Sequence, residues 1–189
     1  DQNYELIFVD NGGEPGEFEP LKPFVDTYVR LNTNTGAYLA RNVGAVFARA
    51  PILIFLEDDG IPEHDFVEAH LRMHRKYNVI AVRGVYSPKT DTPLNKMATH
   101  YYLGDLPYPY PSNLEGNCSY RSDIFYAVGG WDDDIVFGHG GRELAIRLLG
   151  KEPDQRKQIY SPDPVIYHDF ATSEAHLAEK SRKQESSLQ

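Results

Sequence analysis

The sequence predicts an α/β fold, a mixed and mostly parallel sheet flanked by helices, and three observations carry that expectation. Ile52-Leu53-Ile54-Phe55-Leu56 is an uninterrupted apolar run, the pattern of a strand covered on both faces. Tyr4 to Val9 is a second such run, closed by the turn signal Asp10-Asn11-Gly12-Gly13. Between them, Gly36 to Arg49 places Leu39, Val43, Val46 and Phe47 at helical spacing before Pro51 stops the segment. Strand, helix and buried strand in succession describe a unit with parallel strands.

The later elements follow from the same signals. Pro62 suits a first helical position, and that helix runs to about Tyr77, burying Phe66, Val67, Leu71 and Met73. Val79 to Val82 is a strand. Residues 86–113, rich in proline and tyrosine, lack a sustained period and read as a long loop. There Tyr101, Tyr102, Tyr108 and Tyr110 either wall an acceptor groove or pack the loop. Cys118 to Arg121 is a short strand before a helical turn at Ser122 to Val128, which Gly129-Gly130 breaks. Glu143 to Leu149 is a short buried helix with Gly150 as its stop. Pro164 to Tyr167 is the last strand, ending at His168-Asp169. Residues 1–172 then form one domain, and 173–189 a polar helix or tail.

Composition sets the outer limits. At 189 residues and 41% hydrophobic, one domain can build a core without disulfide or metal staples. Cys118 is the single cysteine, expected inside, which excludes an internal disulfide and a cysteine-based zinc site. Acidic residues outnumber basic ones 28 to 19, a balance that disfavours nucleic acid as partner. No apolar stretch approaches the roughly 20 residues of a membrane span, and Asp1-Gln2-Asn3 does not open a signal peptide. A soluble, reducing, cytoplasmic setting is the expectation.

The strongest chemical signal is Glu57-Asp58-Asp59 at the carboxyl end of the 52–56 strand, where open α/β sheets bind ligands. Three adjacent acids repel one another unless a hard divalent cation sits among them; a solvated acidic turn before a helix is the competing reading. His70 and His74, four apart on a helix and without a third ligand, read as a solvated face. No Ser-His-Asp set, Walker loop or dinucleotide fingerprint is present.

Six segments in order resemble family 2 glycosyltransferases. They are Tyr4 to Gly13, Asn34 to Ala45, Phe55 to Pro62 (an Asp-x-Asp segment with Glu57 at its first position), Gly116 to Arg121 with Val128 to Asp132, Glu143 to Leu148, and Pro164 to His168. The resemblance implies a GT-A, Rossmann-like fold and metal-dependent, inverting transfer from a nucleoside diphosphate sugar such as a UDP-sugar. It places Asp10, Asn11, Arg41, Glu57 and Asp58 on the donor nucleotide, Asp10 against the base and Glu57 near ribose or diphosphate. Asp59 and His168 hold Mn²⁺ or Mg²⁺, an oxygen-and-imidazole set that suits such ions. Asn117, Trp131 and Asp132 face the acceptor, with Trp131 able to stack on a sugar or to fill the core. The acceptor is a glycan, a lipid-linked sugar or another hydroxyl compound, with peripheral membrane association at the inner face through regions outside these residues.

The chain departs from that family in two places. It begins at the family's second strand, lacking the first strand and helix. The family's acidic pair, which precedes the helix and supplies the base, aligns with Gly140-Gly141 when anchored on Glu143 to Leu148, or with Arg142-Glu143 when those glycines match the ones before the pair. Glu143 is then the expected base, with His139 and Asp133 as substitutes. A module that binds nucleotide or sugar without turnover, and a sugar nucleotidyltransferase, are the alternative readings.

Overall fold

The computed structural model describes residues 4–135 and 138–186. Two sheets carry the fold. The smaller pairs β1 (Ile7–Asn11) in parallel with β2 (Thr27–Leu31). The larger contains β3 (Ile52–Leu56), β4 (Ile61–Pro62), β5 (Ala81–Ser87), β6 (Tyr108–Pro109), β7 (Asn117–Arg121) and β8 (Gln158–Tyr167). Its order is β3-β7-β5-β8-β4, with β6 also on β8. β5 and β8 run parallel, whereas β3 and β5 flank β7 antiparallel. Helices α1 (Ala37–Phe47), α2 (Phe66–Tyr77), α3 (Pro93–Lys96), α4 (Ser122–Ala127), α5 (Gly140–Lys151) and α6 (Glu174–Ser186) complete it.

Several elements differ from the sequence reading. The strand at 52–56 has the expected bounds, but only Leu53 is buried, because β3 lies at the end of its sheet rather than inside it. β2 was not expected; it pairs with β1, which therefore does not neighbour β3 in the sheet. α2 starts at Phe66, because Ile61-Pro62 instead pairs with Tyr167 and Ile166 of β8. It buries His70 and His74, which are not on a solvated face, while Val67 and Leu71 are only partly covered. α5 begins at Gly140 and runs through Gly150 to Lys151, so Gly150 does not stop it. The 86–113 region holds α3, a short 3₁₀ turn and β6. The polar C-terminal segment is helical over 174–186, and its last three residues lie outside the described ones.

The principal core lies between α1, β3, β7 and α5. Tyr38, Leu53, Cys118, Tyr120, Phe125, Trp131, Leu144 and Leu148 pack there. At the centre of the larger sheet, the ladder between β5 and β8 shifts register between Arg83 and Val85. Pro162 and Pro164, which lack N–H donors, interrupt it. Asn117 bridges the break, its amide donating to Val85 O (2.8 Å) and Pro164 O (3.0 Å). Gly84 is required at that point, since a Cβ would stand 2.2 Å from Asn117 Oδ1.

Candidate metal and donor site

Short-range pairing assembles the site. β3 delivers Glu57 at its carboxyl end, where Glu57 N donates to Gly116 O (3.2 Å) and Gly60 N closes a turn back to Glu57 O (3.2 Å). The chain then pairs Ile61 with Tyr167 in antiparallel register. That register sets the residues just before Ile61 against the residue just after Tyr167, which is His168. His168 Nε2 consequently lies 3.4 Å from Asp59 Oδ2 and 3.6 Å from Glu57 Oε2. One ligand atom from each of the three falls within 4.8 Å of the others.

The donor set fits a divalent cation. Perpendicular ligands about 2.1 Å from an ion are about 3.0 Å apart, so the three side chains would close in on such an ion. Glu57 Oε2 is buried without a hydrogen-bond partner, as is His168 Nδ1, and an orphaned carboxylate oxygen is costly to keep so. Burial raises the Glu57 carboxyl above its usual range, opposed by His168, Arg41 and the Tyr86 hydroxyl. The His168 ring beside Asp59, with the ammonium groups of Lys89 and Lys180 farther out, holds the Asp59 carboxyl below its range. Glu57 thus joins the metal set rather than standing apart from it, whereas Asp58 is exposed and outside the trio.

The walls of the site include Tyr101 and Tyr102, which the sequence offered as groove walls or loop packing, and Tyr86 and Phe170, which it did not single out. Tyr86 packs its ring 5.0 Å from that of His168, and Tyr101 stands edge-on to both. A cleft of about 360 Å³ opens beside them, lined by Ala98, Tyr102 and Phe170 among others. Asp169 ties two loops together, accepting from Lys89 N (2.9 Å), Thr90 N (3.0 Å) and Asn95 Nδ2 (2.7 Å). Its place directly after His168 was the available signal. Lys180 of α6 donates to Phe170 O (2.6 Å), which brings the C-terminal helix to the rim.

The other expected site residues divide. Arg41, on α1, acts on Glu57 electrostatically and sits 5.7 Å from the rings of Tyr38 and Trp131. Asp10 is 1% exposed; its carboxylate accepts from Gly13 N, the Tyr28 hydroxyl and Arg30 Nη1 at 2.8–2.9 Å. Asn11 spends its amide on Asn34, Thr35 and Gly36, holding the turn before α1. Asp10 and Asn11 therefore organise the loops at this end of β1.

Asn117 is fully buried with its amide engaged on protein, and Trp131 is 1% exposed in the core. Asp132 Oδ1 accepts from Asp134 N (3.1 Å), Asp133 is exposed, and His139 is exposed with a left-handed backbone. Glu143 gives both carboxylate oxygens to Arg147, at 2.5 Å each, and Arg147 also donates to Val128 O. The carboxylate that meets the start of α5 is instead Glu115, whose Oε1 accepts from Gly141 N (3.1 Å).

Among the described residues no helix is long and apolar enough to cross a membrane.

Comparison with known proteins follows the same line. The sequence profile of Glycosyl transferase family 2 matches residues 1–131. "Uncharacterized glycosyltransferase YfnE" of Bacillus subtilis is 31% identical over 90 residues, covering 46% of this chain and 23% of that protein. "Glycosyltransferase AglE" of Haloferax volcanii is 34% identical over 70 residues, covering 34% of this chain and 23% of its own length. The matched stretches thus span about a quarter of these relatives. Among solved structures, a Pyrobaculum calidifontis mannosyltransferase in complex with GDP-Man and Mn²⁺ superposes with TM-score 0.72 at 16% identity, covering 97% of this chain and 52% of that one. GalNAc-T7 with UDP, GalNAc and Mn²⁺ gives 0.68 at 15%, covering 96% and 41%. The shared fold is that of the GT-A glycosyltransferases.

Proposed function

The chain belongs to glycosyl transferase family 2, and on that premise we propose that it takes a sugar from a nucleoside diphosphate donor in a reaction that needs a divalent cation. One observation carries the reading. Glu57, Asp59 and His168 converge from two chain segments distant in sequence, and one buried carboxylate oxygen among them has no hydrogen-bond partner.

The chemistry requires such a place. A diphosphate gathers negative charge as the glycosidic bond breaks, and a bound cation, Mn²⁺ or Mg²⁺, supplies Lewis-acid stabilisation of it. Glu57, Asp59 and His168 would hold such an ion, beside the packed rings of Tyr86, Tyr101 and Phe170. Arg41 acts electrostatically on Glu57 and supplies a permanent positive charge for the diphosphate. The mannosyltransferase and GalNAc-T7 structures, each with a nucleotide and Mn²⁺, support the same ligand class. The acceptor is a hydroxyl compound.

Calorimetry with UDP and with GDP, each with and without Mn²⁺, tests the reading. Cation-dependent binding of at least one nucleotide is expected. A chain with no affinity for either nucleotide in the presence of Mn²⁺ contradicts it.

A further inference from the structure

We propose that Glu115 is the general base of the transfer, an inference that rests on the donor-binding reading above and goes beyond it. Gly140 and Gly141 stand where an acidic pair was expected, and the packing leaves no room for side chains there. A Cβ on Gly141 would lie 2.2 Å from Asn113 O, and one on Gly140 would lie 2.3 Å from the Tyr38 ring.

Glu115 takes up the vacated position. Its Oε1 accepts from Gly141 N, and its Cγ lies 3.4 Å from where a Gly141 Cβ would be. The next residue, Gly116, abuts the cation site so closely that a Cβ there would overlap Glu57 Cγ at 1.8 Å. His168, Glu57, Gly116 with Glu115, and Gly141 therefore follow one another across the site. The leaving group belongs at the His168 end with the cation, and the base at the α5 end.

Charge and accessibility agree with that placement. Glu115 is partly exposed, unlike its buried neighbours Leu114 and Gly116. Its charge is felt by the Tyr38 hydroxyl of α1, which it also hydrogen-bonds, and by Cys118 and Tyr120 of β7. The rival carboxylate, Glu143, is committed to Arg147 on both oxygens. In the step itself, the Glu115 carboxylate accepts the proton of the acceptor hydroxyl while that oxygen bonds to the anomeric carbon. The bond from this carbon to the diphosphate oxygen breaks, and its electron pair leaves with the diphosphate.

The test uses the whole chain with Mn²⁺, UDP-glucose, UDP-N-acetylglucosamine and GDP-mannose, and follows nucleoside diphosphate release to water or to simple sugars. Glu115→Gln keeps an oxygen for Gly141 N, so the helix start is preserved. The expected result is a loss of release by roughly 10²–10⁴-fold, with UDP or GDP affinity within about twofold of the parent. Glu115→Ala is expected to regain rate on addition of formate, a small carboxylate that can take up the proton. Three results overturn the proposal: an undiminished Glu115→Gln rate, a comparable loss in Glu143→Gln instead, or a parent chain that binds donor and releases nothing. Absence of nucleotide binding in the parent refutes the donor reading itself, and is told apart by the calorimetry.

Discussion

The Asn42 side-chain amide clasps the backbone of Trp131 from both ends: Nδ2 donates to Trp131 O at 2.8 Å and Oδ1 accepts from Trp131 N at 2.9 Å. This joins α1 to the segment entering the acidic 132–134 turn, and it fixes Trp131 among Tyr38, Phe55 and Tyr120. Asn42→Ala leaves two backbone groups unpaired beside a core tryptophan. A loss of about 2–4 kcal/mol in urea unfolding is expected; a change below about 0.5 kcal/mol contradicts the clasp.

A second expectation concerns pH. Beneath the sheet, Ser119 Oγ lies 2.9 Å from His70 Nδ1 and 2.8 Å from His74 Nε2, and His70 Nε2 meets Asn117 Oδ1 at 3.1 Å. Burial pushes His70 down to about 3 and His74 down to about 4. An unfolded histidine titrates near 6.5. Below that pH the unfolded chain therefore holds more protons than the folded one. The stability is fully present above about pH 6.5 and is lost as pH falls toward 4 and then 3. For two such groups the slope reaches at most about 2.7 kcal/mol per pH unit. Urea midpoints measured from pH 7.5 to 5 should fall accordingly, and a flat profile refutes the buried neutral pair.

Gly141→Ala is expected to destabilise the chain by about 1–3 kcal/mol, because the new methyl meets a backbone carbonyl rather than a movable side chain. It should also displace Glu115 and lower donor turnover more than donor binding. Unchanged stability in chemical denaturation would show that the space at the start of α5 is not closed.

Much of the metal site was legible because its parts sit where periodicity stops. Glu57-Asp58-Asp59 ends an apolar strand, which marks a ligand-binding position by pattern alone, and His168 ends another, but the family resemblance was what joined it to them. Which acids meet His168 was not legible, since the Ile61–Tyr167 register brings Glu57 and the exposed Asp59 to it and leaves Asp58 out of the trio. Glu115 escaped notice for a different reason. Its position depends on the absence of a side chain at Gly141, a residue distant in sequence.

Burial of polar groups hid the rest. β8 begins at Gln158, which reads as a loop residue until its Nε2 is seen donating to Ala145 O across to α5 (3.0 Å). His70 and His74 look like a solvated face because their partners, Asn117 and Ser119, lie on β7. β2 alternates apolar and polar residues only weakly, and its Arg30 serves Asp10 rather than the core.

The most direct test of the account is the affinity of Mn²⁺ for the chain in the presence of UDP or GDP, read from loss of the free-ion electron paramagnetic resonance signal. The parent should bind one ion, with Asp59→Asn and His168→Ala each weakening it at least about tenfold while near-ultraviolet circular dichroism stays the same. Folded variants that hold Mn²⁺ as tightly as the parent would contradict the claim that these two side chains grip the ion.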